Sequence, residues 1–114
     1  MKYKILFPAG YNIDNTQNDN LDINIVLENN DVYFATLFTL KNISYLMEKD
    51  SVDYFFADSM VVVSSLDMNT IERIIKEVVE NQYLESTFSR IGTIKEIFDT
   101  DRSFDDLYNN LKVI

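Results

Sequence analysis

The 114 residues, 46% hydrophobic and 25% charged, hold enough apolar material for a single domain, 1–114, because a chain of this size buries roughly two thirds of its extended surface on folding. Nineteen Asp and Glu against ten Lys and Arg leave a formal charge of -9, which repels a phosphate backbone and argues against direct nucleic-acid binding. The absence of Cys and His removes thiol nucleophiles, disulfides, Cys-based zinc sites and the commonest general base, and two Gly are too few for a phosphate-cradling loop, so a non-enzymatic domain without cofactor or metal is expected.

The opening MKYKILFPAG holds an apolar run only from Ile5 to Phe7 before Pro8, too short for a signal peptide or membrane span, so the expected location is cytoplasmic. Alternation over 2–7 predicts a strand, and Pro8 with Gly10 predicts the turn that ends it. Residues 11–20, rich in Asn and Asp, read as a surface loop, since their short side chains bond the local backbone. Leu21, Ile23, Ile25 and Leu27 share one face of a pleat, and the Asn-rich turn that follows leads into 32–38, which predicts a β-hairpin.

Thr39 is placed to cap a short helix with Leu40, Ile43, Leu46 and Met47 at helical spacing. Two apolar runs follow, 54–57 and 60–63, rich in β-branched and aromatic residues; they predict either a tight hairpin or one strand broken by a bulge. The main helix is expected over 69–82, where Ile71, Ile74, Ile75, Val78 and Val79 line one face and Asn69 with Glu72 fits a capping box. A further helical turn over 83–90 would place Leu84, Phe88 and Ile91 on one side and Gly92 at its stop. Residues 93–102 are ambiguous, and Ser103 with Asp106 caps a last short helix carrying Phe104, Leu107, Tyr108 and Leu111. Strands early and helices late give an α+β expectation: a mostly antiparallel sheet of four to five strands packed by the 69–82 helix, with short additional helices.

Two acidic runs carry most of the charge. Glu48, Asp50, Asp53, Asp58 and Asp67 surround the central aromatic segment with Lys49 alone opposing them, and Glu96, Asp99, Asp101, Asp105 and Asp106 face Arg102 alone. The spacing of Asp99, Asp101 and Ser103 begins like a calcium loop, then puts Phe104 where a sharp turn needs Gly and Asn110 where a bidentate Glu is needed, so a solvated or partner-binding face is expected instead. Phe34, Phe38, Phe55, Phe56, Phe88 and Phe104 fall on apolar runs and read as core; Tyr33 and Tyr54 face outward only if the opposite strand parity faces the core. Asp58 beside Ser59 reads as a turn former first, because no His or placed Lys activates the Ser.

The ordering of VYFATLFTLKNISYLME, YFFADSMVVVSSL and TIERIIKEVVENQYLESTF, about half the chain, resembles small acidic bacterial immunity proteins of polymorphic toxin systems. Phe56 stands where that pattern commonly carries Trp. The resemblance implies a cytoplasmic protector that binds and blocks a cognate toxin domain, often a basic nuclease. An acidic surface with embedded Tyr suits such a partner, since opposite potentials speed encounter and aromatic anchors supply contact energy. Asp50, Asp53, Tyr54, Asp58, Asp99 and Asp101 are the first-choice contacts. The alternative is a structural or regulatory module that self-associates as a homo-oligomer through the β-prone 60–63 run.

Overall fold

The computed structural model describes residues 1–107. Alternating apolar residues build its centre: β2 (Asn20–Leu27) and β3 (Asp31–Thr39) pair antiparallel, with Ile23 opposite Ala35 and Ile25 opposite Tyr33. Asn30, at φ 74°, takes the left-handed position of the hairpin turn that joins them. β1 (Tyr3–Leu6) pairs antiparallel with the outer side of β2. The other side of β3 is shared end to end, by β4 (Met60–Val63) running parallel to 36–39 and by β5 (Ser89–Thr93) running antiparallel to 31–34. The fold is α+β, and three of the four strand pairings are antiparallel.

One face of the sheet is covered by the main helix, α2 (Met68–Glu80), whose Ile71, Ile75, Val78 and Val79 pack into a core with Ile5, Phe7, Ile23, Ile25, Ala35 and Leu37. Tyr33 belongs to this face and is buried, its hydroxyl donating to Glu85 Oε1 at 3.3 Å. The second face carries a smaller cluster in which Leu6, Val26 and Val32 meet Ile94, Phe104 and Leu107. Ile94 opens α4 (Ile94–Phe98), which resolves the ambiguous stretch through a Thr93–Glu96 capping box, and Ser103 with Asp106 caps the 3-10 turn Phe104–Asp106 as expected. Asn30 ties this layer to the hairpin: its carbonyl accepts from Ile94 N and its side chain from Phe104 N. Tyr108 and Leu111 of the anticipated last helix lie outside the described residues.

Several expectations are corrected. The main helix begins at Met68 rather than 69, and its cap is Asp67, not Asn69; the Asp67 carboxylate accepts from Thr70 N at 2.9 Å, a bond that holds its pKa below the usual value. Helix over 83–90 shrinks to α3 (Leu84–Thr87), and the chain then enters β5. Gly92 is no helix stop. It sits in β5 at φ 152° beside a bulge that ejects Ile91 from the ladder, and a Cβ there would meet the Ile97 side chain at 3.1 Å. Residues 54–57 form no strand, and Phe56, expected in the core, is 79% exposed.

Candidate protein-interaction surface

The helix α1 (Leu40–Lys49) starts where expected, on Thr39, whose Oγ1 accepts from Asn42 N at 3.2 Å. What holds it is polar. Asn42 is its one buried residue, bonded to Asn20 and Asn18 from the Asn-rich segment, while Thr39 N and Oγ1 both donate to Asp19 O. Segment 11–20 is a surface loop whose last residues, 18–20, clamp α1, and Tyr11, stacked on Phe7, packs its other end against the core. With the anchor polar, the apolar residues of α1 stay outside: Leu40 is 70% exposed, Tyr45 is exposed, and Ile43, Leu46 and Met47 are half-buried.

The end of α1 is fixed by backbone geometry. Ser51, at φ 56°, donates to Glu48 O and Val52 N donates to Met47 O, the paired bonds of a Schellman turn, which sends the chain back over the second face of the sheet. There Phe55 packs edge-on against Phe38, ring centroids 4.8 Å apart. In an extended segment, neighbours of an inward residue point outward. Tyr54 (60% exposed) and Phe56 therefore stand in solvent, stacked on each other at 6.3 Å. The far end is pinned to β5: Ser59 Oγ accepts from Ser89 N at 3.0 Å and donates to Ser89 Oγ at 2.9 Å, and Ser89 Oγ donates to Asp58 at 3.4 Å. Asp58 does sit in a turn, with Ser59 at φ 55°. The seryl pair ties the loop to β5, and the group beside it is the Asp58 carboxylate rather than a His or a Lys.

Charge follows the sheet. Residues 50–71 contain Asp50, Asp53, Asp58 and Asp67 and not one Lys or Arg. On the opposite edge, Lys2, Lys4, Arg73 and Lys76, four of the ten cations, line a groove of about 670 Å³ between β1 and α2, together with Tyr3, Glu72 and Phe104. Lys4 is already occupied there: its ammonium lies 4.5 Å from the Phe104 ring centroid and donates to Phe104 O and Leu107 O. The two edges are separated by three strand spacings, about 14 Å, so the molecule presents a polar field with its acidic, aromatic side at β4.

Asp50, Asp53, Tyr54 and Asp58 are thereby gathered on α1's C-terminus and the loop after it, all exposed. Asp99 and Asp101 follow α4 near the Val32 end of β3, six residues or about 20 Å along the strand from the Phe38 end. Asp99 ends α4 in the left-handed conformation, at φ 49°, and Asp101 pairs with Lys95 at 3.6 Å across exposed surface. The six predicted contacts thus form two patches rather than one. Glu96 and Asp106 are spent on helix caps, and among the described residues no group of three or more carboxylates is placed to hold a metal. No described helix is long and apolar enough to cross a membrane. Comparison with known protein families, with characterised proteins and with solved structures finds no match.

Sequence reasoning misses Phe56 and Leu40 as surface residues and leaves Tyr45 open. For Phe56 a signal existed: three consecutive aromatics in an extended segment cannot all point to one core. For Leu40 none does, because helical spacing does not tell a buried stripe from an uncovered one.

Proposed function

We propose that the chain is a non-enzymatic inhibitor of the immunity type that acts in the cytoplasm by binding a basic toxin domain, such as a nuclease, and covering the surface the toxin needs for its substrate. The observation that carries this reading is the exposed Tyr54–Phe56 stack, held on a loop pinned at Phe55 and Ser59 within a cation-free stretch. Rigid exposed aromatics give contact energy without a large ordering cost, and the surrounding carboxylates favour a cationic partner. Asp50, Asp53, Tyr54 and Asp58 form the primary contact in this account. Asp99 and Asp101 form a second, since a standard interface of about 800 Å² per partner is wide enough to reach both patches. The likeness of 31–88 to immunity proteins supports the same class.

The test is protection. Co-expression with an active toxin domain encoded beside this gene should restore growth. Asp53→Lys with Asp58→Lys should slow association and weaken its salt dependence more than it lowers the melting temperature. Growth that is not restored by the intact chain sinks the reading. A self-associating module is the second reading, favoured by the exposed Leu40, Tyr45 and Val62; sedimentation as a monomer over a wide concentration range removes it.

A further inference from the structure

β4 leaves one edge of the sheet open. On its inner side, Ser59 O accepts from Thr36 N at 3.0 Å and starts the ladder to β3. Backbone groups alternate sides along a strand, so Val61 and Val63 follow Ser59 toward β3 and Met60 and Val62 turn their N–H and C=O outward. Among the described residues no hydrogen bond reaches those outward groups. Edges are ordinarily blunted by Lys, Pro, a bulge or a covering element, and Met60–Val63 has neither Lys nor Pro, pairs with β3 without a register shift, and is protected by its length of four residues.

The surroundings select the occupant. Val62, 45% exposed, faces the same side as Phe38, its register partner, and the loop that packs Phe55 on Phe38 runs directly into β4. An added strand would therefore lie beside the segment that carries Tyr54 and Phe56. A second copy joined β4 to β4 would bring two stretches bearing Asp50, Asp53, Asp58 and Asp67, with no cation in either, into one interface. A strand flanked by Lys or Arg meets those carboxylates with opposite charge.

The geometry points to β4 as the acceptor of a β-strand added by a basic protein partner, whose main chain bonds Met60 and Val62 while its flanking cations meet Asp53, Asp58 and Asp67. The partner's identity as a toxin rests on the reading above; the edge itself does not. Main-chain bonds supply the affinity, and the exposed Val62 side chain, on the same face as Phe38, meets the side chain set opposite it.

The probe is a synthetic heptapeptide of alternating valine and threonine with a lysine at each end, titrated into the whole protein and followed by amide exchange and NMR shifts. Slowing of exchange at Met60 and Val62 by about tenfold at saturation, lost when alternate peptide amides are N-methylated, is expected. Val62→Pro, which removes an outward donor and no bond to β3, should weaken binding at least about tenfold, and Val62→Thr should not. If Val62→Pro does not fold, the N-methylated peptide still decides. Equal binding of the N-methylated peptide, protection confined to other residues, or protection of Met60 and Val62 that grows with protein concentration in the absence of peptide would each overturn the proposal, the last by making a second copy the occupant. Failure to neutralise a toxin, with the peptide result intact, removes the inhibitor reading and leaves the edge site standing; neutralisation without protection of β4 does the reverse.

Discussion

The helices α1 and α2 are similar in sequence pattern and opposite in use. Both are amphipathic and both are capped by a side-chain oxygen, from Thr39 and from Asp67. In α2 the apolar stripe is driven into the sheet, with Ile71 and Ile75 fully buried, whereas α1 buries a single Asn and leaves Leu40 and Tyr45 in solvent. A helix gains most of its stability from packing its apolar face, so α1 is held by other means, the hydrogen bonds of Asn18, Asp19 and Asn20 to Asn42 and Thr39. The difference separates a helix that builds the fold from one that the fold displays. The display continues into Tyr54 and Phe56 and ends at β4.

Breaking the building side should cost most. Ile75→Ala leaves a cavity between α2 and the strands and is expected to lower unfolding free energy by about 2–5 kcal/mol, read by denaturant titration. Asn42→Ala removes the asparagine half of the polar clamp, leaving the Thr39–Asp19 bonds, without touching that core. It strands the Asn20 and Asn18 side chains and the expected loss is about 1–3 kcal/mol, concentrated in α1, so exchange of α1 amides should accelerate while α2 amides hold. Equal acceleration in both helices would mean that α1 is as much part of the core as α2.

Alkaline pH probes the building side without mutation. Burial, with Glu80, Asp19 and Glu85 adding to it, raises the pKa of Tyr3, Tyr11 and Tyr33 above the ordinary tyrosine value of 10.0. A folded pKa above the unfolded one means stability that is whole below about pH 10 and lost as pH rises through the folded values. Thermal melts should therefore hold up to about pH 10 and decline above it, and Tyr33→Phe should soften that decline. At the other extreme the Asp67 cap, whose pKa is lowered chiefly by the Thr70 N–H, contributes above the usual carboxylate value and is lost as pH falls through its lower folded value.

The sequence made the building side legible because periodicity is a record of burial: Leu21, Ile23, Ile25 and Leu27 predict the hairpin face, and Ile71, Ile75, Val78 and Val79 predict the packed stripe. It misled where a residue's role depends on distant partners. Asn69 and Asp67 are both acceptable caps, and only the folded chain shows that Asp67 bonds Thr70. Gly92 reads as a stop after a helix until Ile97 is seen to fill the space a Cβ would need. Strand pairing over 60–63 is long-range, so neither its parallel sense nor its open edge was readable from the local pattern. Charge clustering singles out the carboxylates as candidates, but their division into two patches depends on which end of β3 each segment crosses.

Ser51→Gly sharpens the boundary between the two uses. Ser51 holds a left-handed conformation that a Cβ disfavours, and relief of that strain should outweigh the extra freedom of Gly in the unfolded chain, raising stability by less than about 1 kcal/mol. A loss instead would place Ser51's side chain, not its backbone, in charge of the turn.

The smallest effect on the fold is expected where the effect on binding should be greatest. Replacing Tyr54 and Phe56 together with Ser removes two rings that touch each other and solvent, so unfolding free energy should stay within about 0.5 kcal/mol of the parent. Phe55→Ser is the matched control: its ring packs on Phe38, and its loss should release the loop and destabilise the protein measurably more. Should the double substitution cost as much as Phe55→Ser, the stacked pair would be a satellite of the core and the comparison between the helices would lose its continuation. If it costs nothing and the double variant also fails to bind a partner that the parent binds, the loop's alternation has divided its aromatics between holding the fold and meeting the partner, with Phe55 alone on the first side.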